Sequence, residues 1–117
     1  MGLTSVTSKG YAMQIDVRAR RIELDEALRA HVERRLRFAL SRFGGCIAKV
    51  TVRFDDANGT RGGVDKQCDI DVALRPSGNV RVEDIDADLR AALDRAADRA
   101  ARAVGRDLQR RREEERR

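Results

Sequence analysis

The sequence predicts an α+β fold of two layers, in which both helices pack on one face of a four-stranded sheet. Four segments alternate apolar and polar residues, as half-buried strands do, and two longer segments repeat apolar residues at the helical period. Their order is β-α-β-β-β-α, a two-layer sandwich. Each helix has a single apolar stripe, so both should cover the same face of the sheet and leave the other face to water.

The first strand and the first helix follow one another closely. MQIDVRAR, beginning at Met13, alternates with period two. Asp25 is placed to cap the helix, because a short carboxylate accepts hydrogen bonds from the free N–H groups of the first turn. The apolar positions of the helix share one face: Leu28, Val32, Leu36, Ala39, Leu40 and Phe43. Gly44 and Gly45 then predict the end of the helix.

The three remaining strands are predicted at residues 46–54, 66–74 and 80–85. The alternation of the first of these slips once, near Ala48. The loop DDANGTRGG, at residues 55–63, is dense in turn residues and predicts a hairpin. Polar residues on the far face of the sheet are expected to meet water: Thr51, Arg53, Asp69, Asp71 and Arg81.

The last helix is predicted to start near Asp86 or Asp88, where clustered carboxylates suit the positive end of the helix dipole. Its apolar stripe consists mostly of alanine, which lets the helix lie close to the sheet. The stripe comprises Leu89, Leu93, Ala96, Ala97, Ala100, Ala103 and Val104.

Beside this apolar stripe runs a second stripe, made of arginine. Its members are Arg95, Arg99, Arg102, Arg106 and Arg110. Like charges at neighbouring helical positions repel one another, and a polyanion would offset that cost. The pattern alone leaves three interpretations open: a solvated helix face, a surface for phosphate, or a surface for an acidic protein.

Composition and charge favour a single basic domain. The chain has 117 residues and a net charge of +5, and arginine greatly outnumbers lysine, which suits phosphate oxygens. We expect a flexible leader at residues 1–12, the folded domain at 13–112 and a frayed charged tail at 113–117. No apolar run is long enough to span a bilayer, and the leader lacks the features of an export signal.

No arrangement of residues predicts catalysis. The chain has no glycine-rich phosphate loop before a helix, no nucleophile elbow and no metal-ligand spacing. His31 has no companion residues and is expected near the surface. The sequence therefore predicts no catalytic residue, no metal, no cofactor and no small-molecule substrate. Cys46 and Cys68 are expected to be free thiols.

From Met13 to about Arg112 the chain resembles the family of ribosome hibernation promoting factors and ribosome-associated inhibitors, also known as sigma-54 modulation proteins. Three segments carry the resemblance: MQIDVRARRIELDEALRAHVERRL at the start, KQCDIDVAL in the third strand, and DADLRAALDRAADRAARAVGR in the last helix. The order and number of agreeing segments, rather than any single motif, make the case. The absence of a second, dimerisation domain makes the chain similar to the short form of the family.

The resemblance implies a non-catalytic cytoplasmic factor of stress or stationary phase. Such a protein binds the rRNA of the small ribosomal subunit and occludes the channel for mRNA and tRNA, and we expect it to be monomeric when free. The resemblance extends to basic positions of both helices and of the turn after the first strand, at Arg99, Arg102, Arg106, Arg29, Arg35 and Arg20. With Arg95 and Arg110 of the stripe, these are the predicted RNA-binding residues. Two alternatives stay open, a stress protein that binds RNA off the ribosome and an interaction module for an acidic protein.

Overall fold

The computed structural model describes the backbone of residues 4–10 and both backbone and side chains of residues 13–56 and 66–116. Residues 57–65, where the tip of the first hairpin was predicted, lie outside the described residues. The elements are the strands β1 (Thr4–Gly10), β2 (Met13–Arg20), β3 (Ile47–Asp56), β4 (Lys66–Leu74) and β5 (Asn79–Asp86), the helices α1 (Glu26–Leu40) and α2 (Leu89–Glu115), and a 3-10 helix (Ser41–Cys46).

The strands form one mixed sheet in the order β1-β2-β3-β4-β5. β2 and β3 are parallel and are joined through α1, whereas the other neighbouring pairs are antiparallel. The predicted four-stranded sheet with two helices is confirmed as β2–β5, α1 and α2. The slip predicted near Ala48 is also confirmed, because the register between β3 and β4 shifts between Ile47 and Lys49.

The prediction of a flexible leader was wrong for residues 4–10, which add a fifth strand to the sheet. β1 pairs antiparallel with β2 along its whole length, from Thr4 opposite Ala19 to Gly10 opposite Met13. Strand addition uses backbone N–H and C=O groups at the sheet edge and needs no apolar periodicity. The segment TSVTSKG therefore gave little sequence signal.

Both helices begin where the sequence predicted. The Asp25 carboxylate accepts a hydrogen bond from the backbone N–H of Leu28 at 2.7 Å, and Asp88 caps α2 by accepting from the N–H of Arg90 at 3.0 Å. The helix ends differ from prediction. α1 ends at Leu40 and tightens into the 3-10 helix, while α2 continues through Glu115 because Arg and Glu are good helix formers.

The core lies between the sheet and the helices. The helix-facing residues of β2, β3 and β4 pack with the apolar stripe of α1 and with the alanines of α2. In α2 the buried residues are Ala92, Leu93, Ala96, Ala97, Ala100, Ala101 and Val104. Small side chains bring the helix backbone close to β4 and β5, as predicted. None of the helices among the described residues is both long and apolar enough to span a membrane.

The outer face of the sheet is less exposed to solvent than predicted. Thr51 is only 8% exposed and Asp69 only 9%, although Arg53 and Arg81 are exposed as expected. Longer charged side chains lie over the short ones, as when Arg81 bonds the Asp69 carboxylate at 3.3 Å.

Both cysteines are free, and burial raises the pKa of the Cys68 thiol.

Candidate nucleic-acid interface

The arginine stripe of α2 divides into two parts with different surroundings. At its N-terminal end Arg95 bonds Asp84 and Asp86, both at 2.8 Å. The two carboxylates belong to β5, on the side that faces α2. Hydrogen bonds from Arg95 hold the pKa of Asp84 below its ordinary value of 3.8. Arg95 therefore fastens α2 to the edge strand.

Arg99 makes a related contact one turn further along. Its Nη1 donates to the backbone carbonyl of Glu83 at 2.6 Å and lies 3.4 Å from Asp84 Oδ2. The strand thus receives two arginines from the helix within one turn. Both guanidinium groups are therefore engaged within the fold, where their acceptors offset part of their charge, although the side chains of Arg95 and Arg99 are 50% and 47% exposed.

Arg102 and Arg106 continue the stripe on the exposed side of α2. Within the part of the chain that the structure describes, neither forms an ion pair. They line a groove of about 790 Å³ together with Arg42, Gln109 and Arg110. Of these neighbours, Arg110 is bonded to Asp107 at 2.8 Å but remains 70% exposed. This part of the stripe offers charge directly to solvent.

The predicted arginines of α1 serve structural contacts. Arg35 bonds Asp94 at 3.2 Å and Asp98 at 2.6 Å, and so ties α1 to α2. Arg29 bonds Glu33 at 2.8 Å and also Glu26, both on its own helix. The i,i+3 and i,i+4 spacing makes these pairs geometrically easy on a helix.

Phe38 of α1 and Arg42 of the 3-10 helix add an aromatic ring and a further guanidinium to the exposed surface beside α2. Phe38 projects from α1 and is 84% exposed, next to a groove of about 400 Å³ that Arg42 and Arg102 also line. The Arg42 guanidinium lies 4.7 Å from the ring centre of Phe43, which orients it. Neither Phe38 nor Arg42 was predicted as a site residue. The sequence did contain a signal for Phe38, which is an aromatic residue outside the apolar stripe of a basic helix.

Arg20, the last predicted site residue, lies apart from the others. It follows buried Ala19 at the end of β2, so its side chain belongs to the outer face of the sheet. There it lines a depression with Arg18 and Arg53. The eight predicted residues are therefore not brought together at one site. Arg95 and Arg99 lie at the interface of α2 with β5, and Arg102, Arg106 and Arg110 line the helix groove. Arg35 lies between α1 and α2, Arg29 pairs within α1, and Arg20 lies on the outer sheet face.

The arrangement contains the groups that anion binding requires. Planar guanidinium groups match phosphate oxygens, and an exposed aromatic ring can stack on a base. Among the described residues no cluster of three or more His, Cys, Asp or Glu side chains is placed to hold a metal ion. The fold and the surface thus define a basic two-layer α+β domain with exposed arginines on its helix layer.

Comparison with known proteins makes the identification specific. Residues 15–112 match the family described as Sigma 54 modulation protein / S30EA ribosomal protein, and the chain belongs to that family. The resemblance predicted from the sequence is confirmed.

Two solved structures are similar to the chain. The N-terminal domain of Protein Y from Thermus thermophilus is 35% identical, with a TM-score of 0.63, and the match covers 82% of this chain and 94% of that one. A ribosomal subunit interface protein from Coxiella burnetii is 16% identical, with a TM-score of 0.62 and coverage of 82% and 97%, and supports the fold alone. No curated protein matches the chain.

Proposed function

We propose that this protein binds the rRNA of the small ribosomal subunit through the exposed arginines of its helix layer and keeps the ribosome idle. Arg102, Arg106 and Arg42 form the centre of the interface. The observation that carries the proposal is that Arg102 and Arg106 are exposed beside a groove and have no ion pair with another described residue. Family membership supplies the ribosome as the expected partner.

The mechanism is steric occupancy positioned by phosphate contacts. The domain fills the channel for mRNA and tRNA, and the arginines set its orientation on the folded rRNA without reading base sequence. No bond is made or broken, so no catalytic residue or cofactor is required. We expect the protein to act in the cytoplasm and to be monomeric when free.

The engaged arginines have a supporting role in this mechanism. Arg95 and Arg99 hold α2 on β5, and Arg35 holds α1 against α2. These contacts fix the spacing between Arg42 on one side of the groove and Arg102 on the other. A preorganised site loses less conformational entropy on binding than a mobile one. Arg29, Arg110 and Arg20 lie outside this centre and are expected to add long-range charge.

Co-sedimentation with purified ribosomal subunits over a series of salt concentrations tests the proposal. We expect binding to the small subunit, and not to the large one, with an affinity that falls steeply as salt rises. Binding to free RNA but to neither subunit would instead favour action off the ribosome. If neither subunits nor RNA bind even at low salt, the proposal is wrong and an acidic protein becomes the better partner.

A further inference from the structure

The outer face of the sheet carries a second basic depression, on the side of the sheet opposite the helices and their groove. It has a volume of about 270 Å³, and Arg18, Arg20 and Arg53 line it together with Gln67 and two carboxylates. We propose that this depression binds a phosphodiester group of RNA, so that the domain contacts RNA on both of its layers. The inference rests on the proposed function and extends it to a second surface.

The strand register places like charges side by side. Arg18 of β2 lies directly opposite Arg53 of the parallel strand β3, while Asp55 lies opposite Arg20 and Asp69 of β4 lies opposite Arg53. Arg20, two residues further along β2, adds a third guanidinium on the same face. Like charges opposite one another on neighbouring strands are destabilising. A bound anion removes that repulsion and converts the pair into a site.

The carboxylates in the depression are already engaged with other arginines. Asp55 receives two hydrogen bonds from Arg21, each 2.9 Å long, and these hold the pKa of Asp55 below its ordinary value. Asp69 is bonded by Arg81 at 3.3 Å. Neither carboxylate forms an ion pair with Arg53 or Arg20 among the described residues, although the charge of Arg20 also lowers the pKa of Asp55. Three arginines thus line the depression with two carboxylates that are bonded to other arginines, which leaves an excess of positive charge.

Arg18 also has unused hydrogen-bonding capacity. Its Nε is buried and has no hydrogen-bond partner within the described residues. The guanidinium reaches Asp16 only at 4.0 Å, while the Asp16 carboxylate lies 2.8 Å from Lys49. A buried donor without a partner is costly, and a phosphate oxygen would satisfy it.

The position of the depression favours an RNA backbone over a free phosphate ion. Val17 and Val52, which are buried under the helices, alternate along their strands with Arg18 and Arg53. The site therefore opens on the layer opposite the helix groove. A domain with arginines on both layers suits a cleft between two RNA segments, where each wall supplies phosphates.

The test measures binding of the small ribosomal subunit over a salt series with the double variant Arg18→Gln, Arg53→Gln. Its matched control is Arg90→Gln together with Arg112→Gln, which removes the same charge from exposed positions of α2. We expect the double variant to bind about tenfold more weakly. The slope of log affinity against log salt should fall by about 1 to 2. The control pair should change the slope by clearly less.

The outcomes separate this inference from the proposed function. If wild-type protein binds the subunit and the double variant matches it in affinity and slope, the outer site is wrong and the helix interface stands. If wild-type protein does not bind, both fail. Circular dichroism checks the fold, and the exposed Arg53→Gln single variant should show half of the slope change if Arg18 cannot be replaced without unfolding.

Titration of the arginine Nε–H NMR signals distinguishes the source of the phosphate. A short uridine oligonucleotide should shift the signals of Arg18 and Arg53 at concentrations where inorganic phosphate of equal ionic strength does not. The reverse result, a response to inorganic phosphate alone, would overturn the RNA assignment in favour of a free-anion site.

Discussion

The two ends of the arginine stripe on α2 have the same residue type and the same spacing but different roles. At one end, Arg95 and Arg99 bond the carboxylates and carbonyls of β5. At the other end, Arg102 and Arg106 meet solvent beside a groove. The difference arises because β5 presents Asp84 and Asp86 only to the first half of the helix. Periodicity thus predicts which way a charge points, and the neighbouring strand determines whether that charge is available.

The largest effect is expected from removing the exposed end of the stripe. The double variant Arg102→Gln, Arg106→Gln should weaken binding to the small subunit by about 100-fold or more, because each loses a charge-assisted contact with phosphate. Its free energy of unfolding should stay close to that of wild type, since neither arginine forms an ion pair with another described residue. Sedimentation and urea unfolding measure the two quantities.

The control for this double variant is Arg95→Gln, Arg99→Gln, at the engaged end of the same stripe. Its free energy of unfolding should fall, and its affinity for the small subunit should fall by less than that of Arg102→Gln, Arg106→Gln. Equal losses of affinity from the two double variants, without unfolding of either, would remove the distinction between the two ends.

An intermediate effect is expected from releasing the engaged end. The side chain of Asp84 is 12% exposed and accepts from both Arg95 and Arg99. Asp84→Asn should lower the free energy of unfolding by about 1–2 kcal/mol, because charged hydrogen bonds are lost. It should also strengthen subunit binding several-fold, since Arg95 and Arg99 each lose one charged partner, while Arg95 keeps Asp86 and Arg99 keeps the Glu83 carbonyl, and one negative charge disappears.

Urea unfolding measures the loss of stability, and a binding titration on the same protein sample measures the gain in affinity. The isosteric change at an unrelated helix cap, Asp25→Asn, serves as the control, because it lowers the negative charge equally but frees no arginine. Tighter binding by both variants to the same extent would mean that net charge alone is responsible.

The smallest effect is expected from pH. Hydrogen bonds from Arg95 lower the pKa of Asp84, and backbone N–H groups and Arg95 lower the pKa of Asp86, below the ordinary value of 3.8. A carboxylate with a depressed folded-state pKa stabilises the fold above the unfolded-state pKa, and this stability is lost as pH falls through the folded-state value.

The stability difference between wild type and Arg95→Gln should therefore be constant above about pH 5 and shrink as pH falls below about 4. Chemical unfolding at several pH values measures it. A difference that persists unchanged at pH 2 would show that Arg95 acts through packing rather than through its ion pairs.

The strands and helices with clear apolar patterns were predictable from the sequence, whereas the polar edge strand β1 was not. Burial and capping select residue types at fixed spacing, so they produce a pattern that can be read in the sequence. Such patterns predicted the apolar face of α1, its Asp25 cap, the bulge near Ala48 and the buried alanine stripe of α2. The edge strand β1 leaves no such trace, since its pairing with β2 is through the backbone.

The candidate site was predictable in part for the same reason. The stripe on α2 follows from helical geometry, and exposed Arg102 and Arg106 lie where the wheel places them. The ion pairs of Arg29 are local to α1 and follow from helical spacing. That Arg35 serves ion pairs with α2, and that Phe38 and Arg42 border the groove, depends on how α1 and α2 pack together. Contacts between residues 59 or 63 positions apart, such as those of Arg35 with Asp94 and Asp98, leave no local pattern.

By itself the sequence determined the two-layer class, the order of the elements, the basic character of α2 and the resemblance to a family of ribosome-associated factors. Each of these depends on residue type and short-range spacing. Only the tertiary structure decided which arginines are engaged and which are available, and that Arg18 and Arg53 meet on the outer face. Those facts depend on strand register and helix docking, which bring together charges from distant parts of the chain, and the free energy of a charge depends on its neighbours in space.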